Sequence, residues 1–108
     1  MSVYILNIDT SMDKAFVCLS IDGQVKDIRE NSVQKEHAGF LHTAIRDLIE
    51  KNNIELSRID AVAVSEGPGS YTGLRVGLSA AKGLCYAINK PLICIGTLPM
   101  MEIGRAHV

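Results

Sequence analysis

Hydrophobic residues along this chain follow two rhythms. "VYILNI" (residues 3–8) and "KAFVCLSI" (residues 14–21) are short runs rich in β-branched and aromatic side chains, the composition of strands. Asp22-Gly23, just after the second run, is a hairpin-turn signal. "QVKDIRENSV" then sets Val25, Asp27 and Arg29 against Lys26, Ile28 and Glu30 in alternation, which predicts an exposed third strand. After it the period lengthens. Ala38, Leu41, Ala44, Ile45, Leu48 and Ile49 share one stripe of a helix predicted over residues 35–52, with Arg46, Asp47, Glu50 and Lys51 outside. "IDAVAVS" (residues 59–65) is apolar at nearly every position, as a strand buried on both faces requires. A glycine-rich turn follows, then a helix predicted over residues 72–89. "PLICI" (residues 91–95) reads as another buried strand, and "TLPMM" as the start of a further helix. The order βββαβαβ predicts an α/β fold: a hairpin-built edge, then βαβ crossovers, giving a mixed sheet flanked by helices.

The helix over residues 72–89 is apolar around most of its circumference. At about 100° per residue, Leu74, Leu78, Ala81, Cys85 and Ile88 make one face. Gly73, Gly77, Ala80, Gly83, Leu84 and Ala87 make a second face of mostly small residues, while Arg75, Ser79, Lys82 and Tyr86 mark a polar side. Such a helix is expected to be buried on two sides. A slim face lets another helix axis come close. The pattern fits a neighbour within the chain, such as the 35–52 helix, and fits a helix of another chain equally well.

The turn itself, "SEGPGSYTGLRVG", lies between a buried strand and a helix, where open α/β sheets hold ligands. Its spacing matches no standard phosphate loop. Gly67, Gly69 and Gly73 give GxGxxxG, and no lysine follows Gly73. Ser70 or Thr72 is expected to cap the following helix. Asp9 fits an Asx turn at the end of the first strand better than a metal-phosphate ligand. Arg75 fits either a solvated side chain or a pair with an acid on a partner.

Composition narrows the classes. The 108 residues are 47% hydrophobic and 21% charged with a net charge of -1, which predicts one soluble domain without strong nucleic-acid affinity of its own. The amino terminus lacks a basic signal-peptide region, and no apolar run approaches the ~20 residues of a membrane span; a cytoplasmic location is expected. Cys18, Cys85 and Cys94 are odd in number, lack CxxC spacing and lie in apolar segments, so each is expected as a small buried hydrophobe. His37 and His42 stand about 140° apart on a helix and cannot share a metal as an i, i+4 pair does. Residues 102–108, "EIGRAHV", fit nothing before them and are expected outside the fold, as a non-native or disordered tail.

"LNIDTS", "DAVAVSEGPGSYTGLRVG" and "KPLICIGTL" together resemble the TsaB (YeaZ) family of bacterial tRNA threonylcarbamoyladenosine biosynthesis proteins, over the whole chain up to the tail. The resemblance implies a ribonuclease H-like lobe of the actin-like ATPase (ASKHA) superfamily, residues 1–101 being the N-terminal lobe of two. It implies that Asp9, Thr10 and Ser11 form the phosphate-facing hairpin. Glu66, Gly67, Pro68, Gly69, Ser70, Tyr71, Thr72 and Gly73 would be the signature loop. The two helices would form the partner interface through Ala38, Leu41, Ile45, Gly73, Val76, Gly77, Ala80, Gly83, Leu84 and Ala87. TsaD-type proteins carry an HxxxH metal pair where this chain reads "GTLPMM"; no metal site is therefore expected.

The function so implied is a non-catalytic scaffold. It pairs with a TsaD-like subunit, alongside a TsaE-like ATPase, in threonylcarbamoyl transfer to the adenosine beside the anticodon. A homodimer is expected when the chain is alone, tRNA contact only indirectly, and no membrane association. No cofactor is required by the chain, with weak ATP or ADP binding kept for the complete complex. The alternatives are a nucleotide-binding or ATP-hydrolysing lobe acting through Asp9 and, more weakly, a glycoprotein endopeptidase-like metallopeptidase.

Overall fold

The opening runs become strands β1 (Tyr4–Asp9) and β2 (Ala15–Ile21), and the alternating segment becomes β3 (Gln24–Asn31), in a computed structural model that describes residues 1–32 and 37–105. Asp22 and Gly23 have φ of 52° and 83°. Positive φ at both central positions gives the hairpin turn whose twist matches its strands. The turn is tied to the amino terminus, since Asp22 Oδ1 accepts from Val3 N at 2.7 Å.

Helix α1 (His37–Lys51), strand β4 (Ala61–Ser65), helix α2 (Tyr71–Ile88), strand β5 (Leu92–Ile95) and helix α3 (Thr97–Arg105) follow. The sheet order is β3-β2-β1-β4-β5, antiparallel through the hairpins and parallel from β1 to β4 to β5. Register places Leu6 beside Leu19 and Val62, and Ile8 beside Val17 and Val64. These six side chains form one sheet face, covered by Leu41, Ala44 and Leu48 of α1 and Ala81 and Cys85 of α2. The other face, with Phe16, Cys18 and Ala63, is covered by Met100 of α3. The molecule thus has three layers, two helices above the sheet and one below.

Three expectations are corrected. Strand β5 is not buried: Ile93 is 40% exposed and Cys94 is exposed. It is the last strand in the order, so it has a neighbour on one side only. Cys94 therefore departs from Cys18 and Cys85, which are buried; burial pushes the Cys18 thiol up to about 12, although Asn7 opposes it. The supposed tail also belongs in large part to the fold. Helix α3 continues through Glu102 to Arg105, Ile103 packs against the Met100 cluster, and Gly104 lies against the Phe16 ring. Residues 106–108, and Lys35 and Glu36 of the predicted first helix, lie outside the described residues.

Candidate functional site

Strand β1 ends in a turn that meets the glycine-rich loop. Asp9 is buried, and its Oδ1 accepts from Ser11 N at 2.9 Å, from Ser11 Oγ, and from Ser65 Oγ on β4 at 2.8 Å. The bond to Ser11 N is Asx-turn geometry, and the Ser65 bond locks the turn to the neighbouring strand. Three amides of the loop are engaged within the fold. Ser70 N donates to Ser11 O, Glu66 N to Ile95 O, and Gly73 N to Ser70 Oγ at 3.1 Å. Ser70 is thus the N-cap of α2, satisfying an amide that a helix start leaves orphaned. The Gly67–Pro68 peptide is cis. A Cβ on Gly69 would stand 2.6 Å from both Ser11 Cβ and Ser11 O. The glycine here is required by the Ser11 backbone, which leaves no room for a side chain.

The same turn decides which way α2 faces. A Cβ on Gly73 would run into Thr10 O, and one on Gly77 would lie 2.5 Å from Thr10 Oγ1 and 3.4 Å from Val64 Cγ2. Gly73, Gly77, Ala81 and Cys85, spaced i, i+4, form the buried line of the helix. The slim face expected to receive a second helix is therefore divided. Its first half receives the Thr10 turn, and Gly73 and Gly77 are withdrawn from any partner interface. The wheel treated every turn of the helix alike, whereas this neighbour is a loop that reaches only the first two turns. Ala87, near the other end, is exposed.

Away from the turn, α1 and α2 leave a groove of about 730 Å³. Ala38, Leu41, His42 and Ile45 line it from α1; Val76, Ala80, Gly83 and Leu84 line it from α2. Leu41 is its floor, at 1% exposed. Tyr71, Thr72, Arg75 and Ser79 form the outer wall. Gly83 has open space where its Cβ would be, with nothing within 4 Å. Tyr71 is 73% exposed, and the Arg75 guanidinium carbon stands 5.5 Å from its ring centroid. Of the interface residues expected from the resemblance, Ala38, Leu41, Ile45, Val76, Ala80, Gly83 and Leu84 come together here. His42 and Ser79 were not foreseen as groove residues. Their spacing from Ala38 and from Val76 and Gly83, four and three or four residues, is the signal that places them on the same faces.

The model for the family described as "TsaD: tRNA N6-adenosine threonylcarbamoyltransferase" matches residues 28–103. The chain belongs to that family. Among its curated relatives, the tRNA threonylcarbamoyladenosine biosynthesis protein TsaB of Escherichia coli is 35% identical over 100 residues, covering 93% of this chain and 43% of that protein. A tRNA N6-adenosine threonylcarbamoyltransferase of Fervidobacterium nodosum is 35% identical over 106 residues, covering 84% of this chain and 32% of that protein. The solved structure of YeaZ from Pseudomonas aeruginosa superposes with a TM-score of 0.80 at 30% identity, covering 87% of this chain and 44% of that one. The TsaB (YeaZ) resemblance read from the sequence is thereby borne out, as is the ribonuclease H-like α/β lobe. The chain spans less than half the length of these relatives.

Thr97, Leu98, Pro99, Met100 and Met101 occupy the segment after β5, and among the described residues no three His, Cys, Asp or Glu side chains converge. His37 and His42 point to different places. His37 is buried, with Nε2 3.3 Å from Met12 O and Nδ1 3.2 Å from Asn31 Nδ2, so it ties the start of α1 to the β1 turn. His42 faces the groove. No described helix is long and apolar enough to cross a membrane.

Proposed function

We propose that the chain is a docking subunit, without catalytic chemistry of its own, in the formation of threonylcarbamoyladenosine in tRNA. Its partner is a TsaD-type transferase, and the groove between α1 and α2 is where that partner sits. The observation that carries this reading is the groove itself: an apolar floor of Leu41, Ile45, Val76 and Leu84 beside the small side chains Ala38, Ala80 and Gly83. Small residues let a partner helix approach, and apolar ones supply the area that holds it. Family membership supplies the reaction, and the curated relatives named for threonylcarbamoyladenosine biosynthesis support the subunit assignment. The three hydrogen bonds accepted by Asp9 Oδ1 and the Ser70 cap support a structural turn rather than a reacting one. In this proposal a TsaE-like ATPase joins the assembly, nucleotide belongs to the complete complex, tRNA is contacted by the partner, and copies of the chain pair only when the partner is missing.

Gly83→Leu tests it. The side chain enters the open groove without meeting the rest of the fold, so the variant should keep its helical signal and lose retention on an immobilised transferase of the same organism. Full retention with the groove plugged would refute the docking assignment. Gly77→Leu is unsuited to this purpose, because it would displace the Thr10 turn and report on folding.

A further inference from the structure

We infer that the turn after β1, residues 9–12, mechanically couples the start of α1 to the glycine-rich loop and the start of α2, so that a displacement of either helix is passed to the other. Thr10, Ser11 and Met12 each hold one helix start. Thr10 Oγ1 donates to Gly73 O at 2.5 Å, in the first turn of α2. Ser11 O accepts from the amide of Ser70, the N-cap of α2, at 2.7 Å. Met12 O lies 3.3 Å from Nε2 of His37, the first residue of α1. The glycine-rich loop hangs on the same backbone, since a Cβ on Gly69 would meet Ser11 O at 2.6 Å.

Neither grip has slack. Thr10, Ser11 and His37 are all buried. On the α2 side, Gly73 and Gly77 lie so near Thr10 that a Cβ on either would clash. On the α1 side both ring nitrogens of His37 are engaged, with Nδ1 3.2 Å from Asn31 Nδ2 at the end of β3. A ring that accepts from that amide at Nδ1 carries its hydrogen on Nε2 and donates it to Met12 O. The contacts of Leu41, Ala44 and Leu48 with the sheet are apolar and without direction, whereas the His37 bond fixes a point. A close-packed interior transmits strain instead of absorbing it. The α1 side of the groove begins at Ala38, one residue after His37. An occupant that shifts this wall therefore draws on Met12 and, through Ser11, on the Ser70 cap and Gly69. That consequence rests on the docking assignment above; the coupling itself does not.

The test needs no partner, so its outcome is separate from that of the docking experiment. Thr10→Val removes the grip on α2 and His37→Leu the grip on α1. Urea unfolding of the 108-residue chain compares the two single variants with the double variant. If breaking one grip loosens the turn, the second has less to lose. The double variant should then raise the unfolding constant by about threefold less than the product of the single effects, or fall short by more. Amide nuclear magnetic resonance spectra supply a readout that stability alone would not move. Thr10→Val should shift the amides of Ala38 to Leu41, and His37→Leu those of Ser70 and Gly73. His37→Gln keeps a donor near the place of Nε2 and should leave Ser70 and Gly73 close to wild type. Effects that multiply within about twofold, with each variant shifting only its own helix, would mean two independent anchors and overturn the coupling. Equal disturbance of Ser70 and Gly73 by Gln and Leu would overturn it too, because the bond to Met12 O would not be the carrier. If His37→Leu does not fold, the α1 amides in Thr10→Val decide alone, and unmoved amides overturn the inference.

Discussion

Two glycines six residues apart on α2 should respond oppositely to the same mutation. Gly77→Ala places a methyl 2.5 Å from Thr10 Oγ1 and 3.4 Å from Val64 Cγ2. The Thr10 hydroxyl cannot step aside freely, because it donates to Gly73 O at 2.5 Å in the interior. Rotating it away forfeits that bond and leaves buried polar atoms unsatisfied, at about 1–3 kcal/mol. Retaining it forces an overpacked contact, at about 1–3 kcal/mol. The intrinsic helix gain of alanine over glycine, ~1 kcal/mol, offsets part of either cost. Gly77→Ala should therefore destabilise by up to about 2 kcal/mol, and by more if both costs are incurred. Gly83→Ala meets nothing within 4 Å and should keep the gain of ~1 kcal/mol. In a domain of this size each kcal/mol moves the thermal midpoint by about 4–8 °C. Urea and thermal unfolding followed by far-ultraviolet circular dichroism would read both. Adding Thr10→Ala to Gly77→Ala should recover part of the loss, since it removes the clashing oxygen. Equal stabilisation by Gly77→Ala and Gly83→Ala would refute the inward assignment of the glycine line.

Other outcomes follow from the same contacts. Asp9→Ala removes the acceptor shared by Ser11 N, Ser11 Oγ and Ser65 Oγ, and should cost about 2–3 kcal/mol in urea unfolding; a variant as stable as wild type would show that the turn does not depend on it. The backbone amide of Tyr4, with Arg58 adding to it, holds the Asp60 carboxyl below its ordinary 3.8. A depressed folded value means that the stabilisation is present above about pH 4 and is lost as pH falls further. Urea midpoints measured from neutral pH downwards should fall in that window for wild type and less steeply for Asp60→Asn; identical slopes would remove Asp60 from the account. With a thiol-specific reagent, exposed Cys94 should react at once, and buried Cys18 and Cys85 only on unfolding. Three fast thiols in the folded protein would contradict the burial described.

Period and turn chemistry are local, and they carried most of the architecture. Alternation in residues 24–31 and the Asp22-Gly23 pair needed nothing distant to make a hairpin, and the i, i+3, i+4 stripe of α1 was legible for the same reason. A cap at Ser70 or Thr72 was readable because a capping bond spans only three residues, and the structure selects Ser70. Harder to read was anything that depended on who stands next to whom. "LICI" has the composition of a central strand, yet strand order alone puts β5 at the edge and Cys94 in solvent. Residues 102–105 lacked a pattern of their own and were ordered by Phe16 and Met100 across the layer.

By itself the sequence determined the alphabet of this protein: five strands, two long helices, a glycine turn between a buried strand and a helix, and the motifs that mark its family. Tertiary structure alone decided what the glycines are for. Gly73 and Gly77 serve Thr10, and Gly83 stays open beside Arg75, because the β1 turn reaches the first turns of α2 and no farther. A helical wheel records angle around an axis but not which neighbour arrives along it, and here that neighbour separates the protein's interior from its open groove.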